Sequence, residues 1–462
     1  MLDVNDKVAD AIGLADEDRD LVHSLVHLWH DKRRRNLVRH DYYTMHNRLK
    51  DLGISIPPSL RTLDAACGWG KKAVDVMVEH SKFDGWTCDD EAAQGILDEV
   101  MRREKMRTKY RKAATSALEQ CFCLFFVSDN DGKARISAYP ASVSSAIYDD
   151  AIGDITSAMF VVSMRKRDGV PTDEPERINV VTPTNLIRLY NDGHAWQAFY
   201  EAHGLGHLPA FIAPYEATLE RPMGNSRITR EVMGYIDEAV RTNINEAIAS
   251  AFAASTQKYL LGTDADTFEG IDRWQAYIGN IINVDMTSEA TTPTFGQLAQ
   301  PSMQPLTDHF RNLCGRMAAA TGIHVSQFGQ VHDNPASSEA IYAENEPLIL
   351  KVRDWNETAG EALRDVAVAC VATEMGITFD EAEALDLGID SRFRNPAMPT
   401  LAQQTDSAIK LASVVDGFAG TDTFWELNGL TAEERKRVKA ELREAQGAST
   451  LAGMIAGMSD GA

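Results

Sequence analysis

Four residues near position 67 have types and spacing that could bind a cofactor. Asp64, Cys67, Gly68 and Gly70 lie in the stretch TLDAACGWGKKAVDV, residues 62–76.

This stretch looks like the glycine-rich first motif of the S-adenosylmethionine-dependent methyltransferases. In that family a strand ends in a D-x-x-C-G-x-G turn, whose glycines let the backbone approach the cofactor. The chemistry that this stretch suggests is therefore methyl transfer.

The residues around this turn argue against methyl transfer. The segment before it, PPSLRTLDA, contains two prolines, an arginine and a threonine. The central strand of a doubly covered sheet is nearly all apolar, and alternating strands and helices should follow it. Here a charged helix and an antiparallel sheet are predicted instead. We expect a loop entering a helix over 71–80, with Trp69 packed beneath it, and keep an S-adenosylmethionine-dependent methyltransferase as the alternative function.

Three histidines and a basic run lie on the first long helix. His23, His27 and His30 share a helix face, but no glutamate completes an HExxH pattern, so no metal site is predicted. The basic run Lys32 to Arg35 could contact phosphate. A solvated helix face or a subunit contact is the interpretation that we favour.

Other catalytic signatures are missing from the sequence. It has no GxSxG motif, no kinase signature and no supported carboxylate pair, so no catalytic residue and no cofactor are predicted. The six cysteines form no CxxC pattern and are expected to be free, buried thiols: Cys67, Cys88, Cys121, Cys123, Cys314 and Cys370.

The composition is that of a packed globular protein with a strong negative charge. The chain has 462 residues, 44% of them hydrophobic and 25% charged, and a net charge of −22. This charge argues against ordinary nucleic-acid binding, yet it allows a protein past which DNA slides. No apolar stretch reaches the roughly 20 residues of a membrane helix, and the acidic N-terminus lacks a secretory signal, so maturation in the cytoplasm is expected.

Periodicity predicts helices and one antiparallel sheet in the first half of the chain. Helical patterns cover 16 to about 50 and 91–120. Short β-branched and aromatic runs separated by turn signals such as Asn130-Asp131-Gly132 indicate a meander. The predicted strands cover 121–127, 134–140, 157–164, 178–183, 186–190 and 195–200.

A long helix is predicted from Ser226 to Ser255, and a second from Pro305 to Thr321. Apolar residues recur every four positions along the first: Ile228, Val232, Ile236, Val240, Ile244 and Ile248. Because a helix has 3.6 residues per turn, this stripe winds around it and could contact different neighbours along its length. Residues 257–303 indicate a small irregular or α/β insertion.

The stretch NPASSEAIYAENEPLILKV, residues 334–352, contains a helix start and a proline within the same helical run. Asn334 suits an N-cap and Pro335 the first helical position. Pro347 should bend the helix, which apolar positions continue toward Met375. Two capping boxes, Thr400 to Gln403 and Thr431 to Glu434, begin later helices.

Taken in order, these features resemble the portal proteins of tailed bacteriophages, particularly siphophages of actinobacteria. The resemblance is carried by DYYTMHNRL (41–49), GWGKKAVDV before FDGW (83–86), and the segments 206–240 and 313–352. It implies an α+β portal fold with a mainly helical wing and an antiparallel sheet, a two-helix stem, a small clip and a helical C-terminal crown.

The resemblance also implies boundaries for these parts. The wing would cover 1–224, the first stem helix 225–256, the clip 257–303 and the second stem helix 304–322. A tunnel loop and a long kinked wing helix would cover 323–384, and the crown and C-terminal tail 385–462. Within the tunnel loop, the candidates for DNA-facing residues are Gln327, Gln330, His332 and Asp333.

The implied function is a ring at a unique capsid vertex, without enzymatic activity. Twelve copies would form a channel through which terminase packages double-stranded DNA and from which DNA is later ejected. The expected partners are the large terminase, head-completion or adaptor proteins, and the major capsid and scaffolding proteins; DNA contact would be non-specific, and no membrane is expected. The protein would assemble in the host cytoplasm and reside in the virion. An adaptor or other capsid-associated protein is a further interpretation.

Overall fold

A computed structural model describes residues 4–47, 66–254, 258–261, 281–284, 294–297, 302–330, 338–397, 401–430 and 434–443. The chain divides into two compact units, Met1–Pro396 and Ala397–Ala462. The larger unit combines long helices with antiparallel sheets, which confirms the α+β prediction. In the part of the chain that the structure describes, no helix is both long and apolar enough to cross a bilayer.

The first helices build one side of the larger unit. They are α1 (Val4–Ala9), α2 (Asp16–Thr44), α3 (Trp69–His80), α4 (Glu91–Arg103) and α5 (Met106–Gln120). The prediction of one helix over 91–120 was wrong, because Lys105 adopts a left-handed conformation with φ 51° and separates α4 from α5. The Glu104 carboxylate accepts a bond from Lys109 Nζ at 2.7 Å, which stabilises the break.

The strands between Phe122 and Pro214 form two antiparallel sheets rather than the single predicted one. The five-stranded sheet is a meander of β4 (Ser144–Asp149), β5 (Asp154–Arg167), β6 (Val170–Val181), β7 (Asn185–Asn191) and β8 (Trp196–Ala202). The second sheet has the order β3-β2-β9, from β2 (Phe122–Asp129), β3 (Ala134–Pro140) and β9 (Ala210–Pro214). Strand β4 was not predicted, because its two serines obscure the apolar alternation.

The five-stranded sheet is buried on both faces, which places it between two layers. One face packs against α2, where Leu25 and Trp29 contact the side of the sheet that carries Met159 and Ile178. The other face, with Phe160, packs against the strand β2 through its alternate residues Phe122, Leu124 and Phe126. Because successive side chains of a β-strand point to opposite faces, the meander contacts α2 with one face and the second sheet with the other.

Two helices form an antiparallel pair. They are α6 (Arg230–Ala254) and α7 (Gln304–Thr321). Near one end of the pair, Arg227, just before α6, donates to the Thr321 carbonyl. Farther along, Thr307 Oγ1 donates to the Glu246 carboxylate at 3.4 Å. Helix α6 begins at Arg230 rather than at Ser226. Thr229 caps it by accepting a bond from Val232 N, whereas Ser226 Oγ donates to the Glu119 carbonyl.

Three short strands lie in the chain between α6 and α7. They are β10 (Lys258–Leu261), β11 (Ile281–Val284) and β12 (Thr294–Gln297). Strand β10 is central, parallel to β11 and antiparallel to β12. This small mixed sheet lies within the predicted insertion at 257–303.

The longest helix, α8 (Ser338–Met375), crosses the core of the larger unit. It is continuous through Pro347 and ends where predicted, before Gly376 with φ 69°. A capping box of Thr378 and Glu381 then begins α9 (Phe379–Ala384). Strand β13 (Asp390–Phe393) returns to pair antiparallel with β1 (Phe83–Thr87).

The smaller unit is helical. It contains α10 (Leu401–Val414), α11 (Asp422–Leu427) and α12 (434–443). The rings of Phe418 and Phe424 meet edge to face at 5.9 Å, and Lys439 Nζ contacts the Asp422 carboxylate at 2.6 Å. Thr400 and Thr431, the predicted capping residues, lie outside the described residues.

Candidate functional site

The loop after α7 holds the candidate DNA-facing residues, and its first part is firmly anchored. Gly322 ends α7 with φ 70°, and a single 3-10 turn follows over Val325–Phe328. His324 Nδ1 accepts a bond from Ser326 N at 3.3 Å, and its Nε2 lies 3.2 Å from the Glu344 carboxylate on α8. This histidine therefore joins the loop to α8.

The candidate residues differ in what their side chains do. Gln327 is exposed on the 3-10 turn. Gln330 Nε2 donates to the Arg311 carbonyl at 2.6 Å, so its amide is bonded back to α7. His332 and Asp333 lie outside the described residues, as do Asn334 and Pro335 at the predicted helix start. Pro347 is exposed within α8.

The glycine-rich stretch at 64–70 supports this loop by packing. The buried Trp69 ring lies 5.3 Å from the ring of Phe310 on α7 and 5.8 Å from that of Phe328 in the 3-10 turn. A Cβ on Gly70 would lie 2.5 Å from the Tyr42 carbonyl oxygen and 3.2 Å from Ile236 Cδ1. Glycine is thus required where α3 passes α2 and α6.

The geometry gives no support to methyl transfer at this stretch. After α3 the chain forms β1, which pairs antiparallel with β13, instead of the parallel strand of a cofactor-binding unit. Burial raises the pKa of the Cys67 thiol to about 11, so this thiol stays protonated near neutral pH. The strand predicted before the turn, and Asp64 itself, lie outside the described residues.

The DYYTMHNRL stretch fastens the end of α2 to α6 and α3. Tyr42 Oη donates to both carboxylate oxygens of Asp237 on α6, at 3.0 and 2.9 Å, and Asn47 Nδ2 donates to the same group at 3.1 Å. Tyr43 Oη donates to Asp75 on α3 at 2.8 Å. Burial, then the bond to Asp237, raises the pKa of Tyr42, so the phenol remains a donor.

Arg227 is a buried cation at the base of the α6–α7 pair, and sequence reasoning missed it. It is 5% exposed, and its three nitrogens donate to the Ala73 carbonyl, to Tyr215 Oη at 3.1 Å and to the Thr321 carbonyl at 2.6 Å. These acceptors belong to α3, to the segment after β9 and to the end of α7. Its place in the NSRITRE stretch, within 206–240, was the available signal.

The apolar stripe of α6 is buried only over its first half. Ile228, Val232, Ile236 and Val240 are buried, and Ile244 packs partly against the same core. Ile248 is half-buried, and among the described residues of α6 after Thr242 none is buried. In α7, likewise, no residue before Leu313 is buried. The distal half of the helix pair is therefore only partly covered by the described residues of the same chain.

The other sequence candidates have structural roles where the structure describes them. His23 and His27 stack at 6.2 Å, and His27 contacts Asp31 at 3.5 Å. Within the described ranges no group of three or more His, Cys, Asp or Glu could hold a metal ion. Arg33 of the basic run pairs with Asp173 at 2.8 Å. All six cysteines are free thiols.

The chain matches a known family over most of its length. Residues 23–448 match the family model described as phage portal protein, SPP1 Gp6-like, so the chain belongs to the phage portal protein family. Portal proteins are structural components of the phage particle, in which they form a ring with other head and tail proteins. The methyltransferase alternative finds no support.

Two curated relatives agree with this assignment. The portal protein of Mycobacterium phage L5 is 22% identical over 434 residues, which cover 90% of this chain and 86% of the relative. The portal protein of Mycobacterium phage D29 is 23% identical over 434 residues, covering 90% of this chain and 87% of the relative.

Among solved structures, the chain resembles one in the neck of a native GTA particle computed with C12 symmetry. The TM-score is 0.42 at 10% identity, covering 79% of this chain and 90% of that one. A chain in the virion of a native gene transfer agent particle has a TM-score of 0.41 at 12% identity, with the same coverage.

Proposed function

We propose that copies of this chain assemble head to tail into a twelve-membered ring at one vertex of the phage head, and that DNA enters and leaves through the channel of this ring. The large terminase docks on the ring during packaging, and head-completion or adaptor proteins bind it afterwards. The major capsid and scaffolding proteins surround it, and assembly takes place in the host cytoplasm.

The observation that carries this proposal is the incomplete burial of the α6–α7 pair. The first half of α6 is fixed in the core by Val232 and Ile236, whereas none of its described residues beyond Thr242 is fully buried. A stripe that winds around a helix suits contacts with neighbours on both sides, which a ring of identical helices supplies. The α6–α7 pair corresponds to the stem in this proposal.

The charge of the chain agrees with passage of DNA rather than binding. A net charge of −22 in each copy repels phosphates, so DNA would not adhere to the ring during translocation. Gln327, exposed and neutral on the anchored 3-10 turn, is our candidate for a residue facing the DNA. Pro347 sets the angle at which α8 leaves the channel.

Electron microscopy of the purified full-length chain tests the proposal. Class averages should show discrete rings with a central hole, and the rings should bind purified large terminase. The variant Ile248→Asp should lose rings while its unfolding by denaturant stays unchanged, because Ile248 lies in the uncovered half of α6. A homogeneous monomer under all salt conditions would disprove ring assembly. Rings that never bind terminase would favour an adaptor.

A further inference from the structure

A rigid turn holds a leucine in full contact with solvent. After β9, Thr218 and Arg221 exchange backbone hydrogen bonds of 3.2 and 2.9 Å, and Leu219 at the tip is 100% exposed. The turn is also bonded at its base, where Asn225 Nδ2 donates to the Glu216 carbonyl at 2.8 Å. Its position is therefore fixed although its apolar side chain contacts nothing.

The same turn lies beside the end of α2. Arg39 on α2 donates to the carbonyl of Gln120, and the next carbonyl, that of Cys121, accepts a bond from Tyr215 N at 2.8 Å. Since the two carbonyls belong to consecutive residues, Arg39 and the base of the turn are close neighbours. Burial lowers the pKa of Arg39 to about 10, and the positive charges of Arg35 and Arg221 contribute to this shift.

These three arginines have no carboxylate partner among the described residues. Arg39 donates to Asn36 Oδ1 and to the Gln120 carbonyl, and Arg221 donates to Asn225 Oδ1 at 3.1 Å. Arg35 is exposed and makes no hydrogen bond or ion pair within those ranges. This is unusual in a chain with 68 acidic and 46 basic side chains. Of the carboxylates in the turn, Glu216 pairs with Lys351 at 3.7 Å and Glu220 is exposed, so the three arginines outnumber the acidic side chains beside them and leave positive charge for another molecule.

A second apolar side chain belongs to this surface. Val38 is 41% exposed and lies three positions after Arg35, on the same face of α2. Apolar groups surrounded by arginines are typical of the centre of a protein interface. A DNA backbone would use the arginines but would leave Val38 and Leu219 in water, so a protein with carboxylates is the better occupant.

We propose that Arg35, Val38, Arg39, Leu219 and Arg221 form an arginine–leucine patch that binds an acidic surface on the adjacent copy of this chain. The inference rests on the proposed ring. In a head-to-tail ring each copy presents one surface to a different surface of the next, so a positive patch requires a negative counterpart. With its net charge of −22, a second copy supplies one.

Site-specific photo-crosslinking of the full-length chain tests the patch directly. A photoreactive amino acid replaces Leu219, and a matched sample carries it at Val170, another exposed apolar residue in a turn region. In purified rings, the Leu219 probe should give a covalent dimer whose second peptide is rich in Asp or Glu, and the Val170 probe should not. No dimer from Leu219, or equal yields at both positions, would overturn the inference.

Two substitutions measure the contribution of the patch to assembly. Leu219→Ser and Arg35→Glu should each raise the chain concentration at half-assembly by about tenfold, the effect of losing an interface anchor. Arg111→Glu, an exposed arginine on α5, should leave it unchanged. Unchanged assembly of both patch variants would overturn this inference while the ring itself stands. Absence of wild-type rings would overturn both.

A duplex-DNA binding assay tests whether the arginines bind a DNA backbone rather than a protein surface. Wild-type rings are titrated with a 30-base-pair duplex in parallel with Arg35→Glu. Under the inference, the two proteins bind the duplex equally weakly. Loss of DNA binding in Arg35→Glu with intact rings would identify a phosphate site instead and contradict the inference.

Discussion

At the scale of single residues, the α6–α7 base depends on one buried cation. The Arg227 guanidinium donates hydrogen bonds to three neutral oxygens, those of Ala73, Tyr215 and Thr321, and so joins three segments that are distant in sequence. The planar guanidinium can address several acceptors in fixed directions, which a lysine ammonium cannot do. The stability of the helix pair therefore depends strongly on Arg227, which nothing in the sequence distinguishes from the neighbouring arginines.

Replacement of Arg227 should destabilise the larger unit. Arg227→Met leaves buried carbonyls without donors, and Arg227→Lys cannot reach all three acceptors, so each should lower the free energy of unfolding by about 2–4 kcal/mol. Denaturant unfolding of the purified chain measures this. Arg230→Met, at the exposed start of α6, serves as the control and should change it by less than about 0.5 kcal/mol. Equal effects at 227 and 230 would contradict this role.

Asp84 makes the stability of the larger unit depend on pH. Its carboxylate lies 3.1 Å from Arg107, 3.5 Å from Arg392 and 3.4 Å from Arg394. Burial would raise the pKa of Asp84, but Arg394, Arg107 and Arg392 outweigh it and hold the pKa below its usual value of 3.8. A lowered pKa means that the stabilisation is present above about pH 4 and is lost as the pH falls through the folded-state pKa.

Asp84→Asn should therefore lower the free energy of unfolding at pH 7 by about 1–2 kcal/mol, and the difference from wild type should shrink below about pH 4. Urea unfolding at pH 7, 5 and 3.5 measures this trend. Asp354→Asn, exposed on α8, should show no such trend. A difference that grew with acid would reverse the sign and disprove the assignment.

At the scale of elements, the long helix α8 contains a proline, Pro347, in its interior. Pro347 cannot donate the backbone bond of its turn, and its ring crowds the preceding turn, so we expect a bend there. Pro347→Ala restores the donor and should raise the free energy of unfolding by about 1–3 kcal/mol. If the bend directs the loop toward DNA, the same variant should package less nuclease-protected DNA.

Glu346→Ala at the neighbouring exposed position is the control for this prediction. It should leave both unfolding and packaging near wild type. A stabilised Pro347→Ala variant with normal packaging would show that the angle of α8 has no part in the channel.

Elements with a local signal could be predicted from the sequence, and elements fixed by distant contacts could not. The hairpin turn at Asp131-Gly132 was readable because both residues need positive φ, here 55° and 74°. The break at Lys105 was not, since no glycine or proline marks it, and the neighbouring Glu104 carboxylate accepts bonds from Lys109 Nζ and from Ile136 N in β3. The start of α6 at Arg230, capped by Thr229, was missed because the expected cap, Ser226, instead donates its hydroxyl to the Glu119 carbonyl.

The functional residues follow the same rule. The family resemblance located the loop after α7 but could not show that Gln330 is bonded to Arg311 while Gln327 is exposed. The clamp of Tyr42 on Asp237 joins residues 195 positions apart, and no periodicity in the sequence reports such a pair.

At the scale of the whole molecule, the described core clusters all belong to the larger of the two compact units. The larger unit, Met1–Pro396, contains the complete β1–β13 pair and the described core residues of α8. A chain of residues 1–396 should therefore fold alone and keep the thermal transition of the larger unit within a few degrees, measured by circular dichroism. Truncation at 388, which removes β13, is the matched control and should lower that transition. Equal melting of both truncations would show that β13 is dispensable.

The pairing of Phe83 with Phe393 also has a consequence for synthesis on the ribosome. Strand β1 is translated early and waits for a partner strand about 300 residues later in the chain. At roughly 5–20 residues per second, the intervening chain takes about 15 to 60 s to make. During that time the nascent larger unit lacks its last strand and cannot complete its core. Emergence of β13 from the ribosome thus becomes the step after which the larger unit can complete its fold.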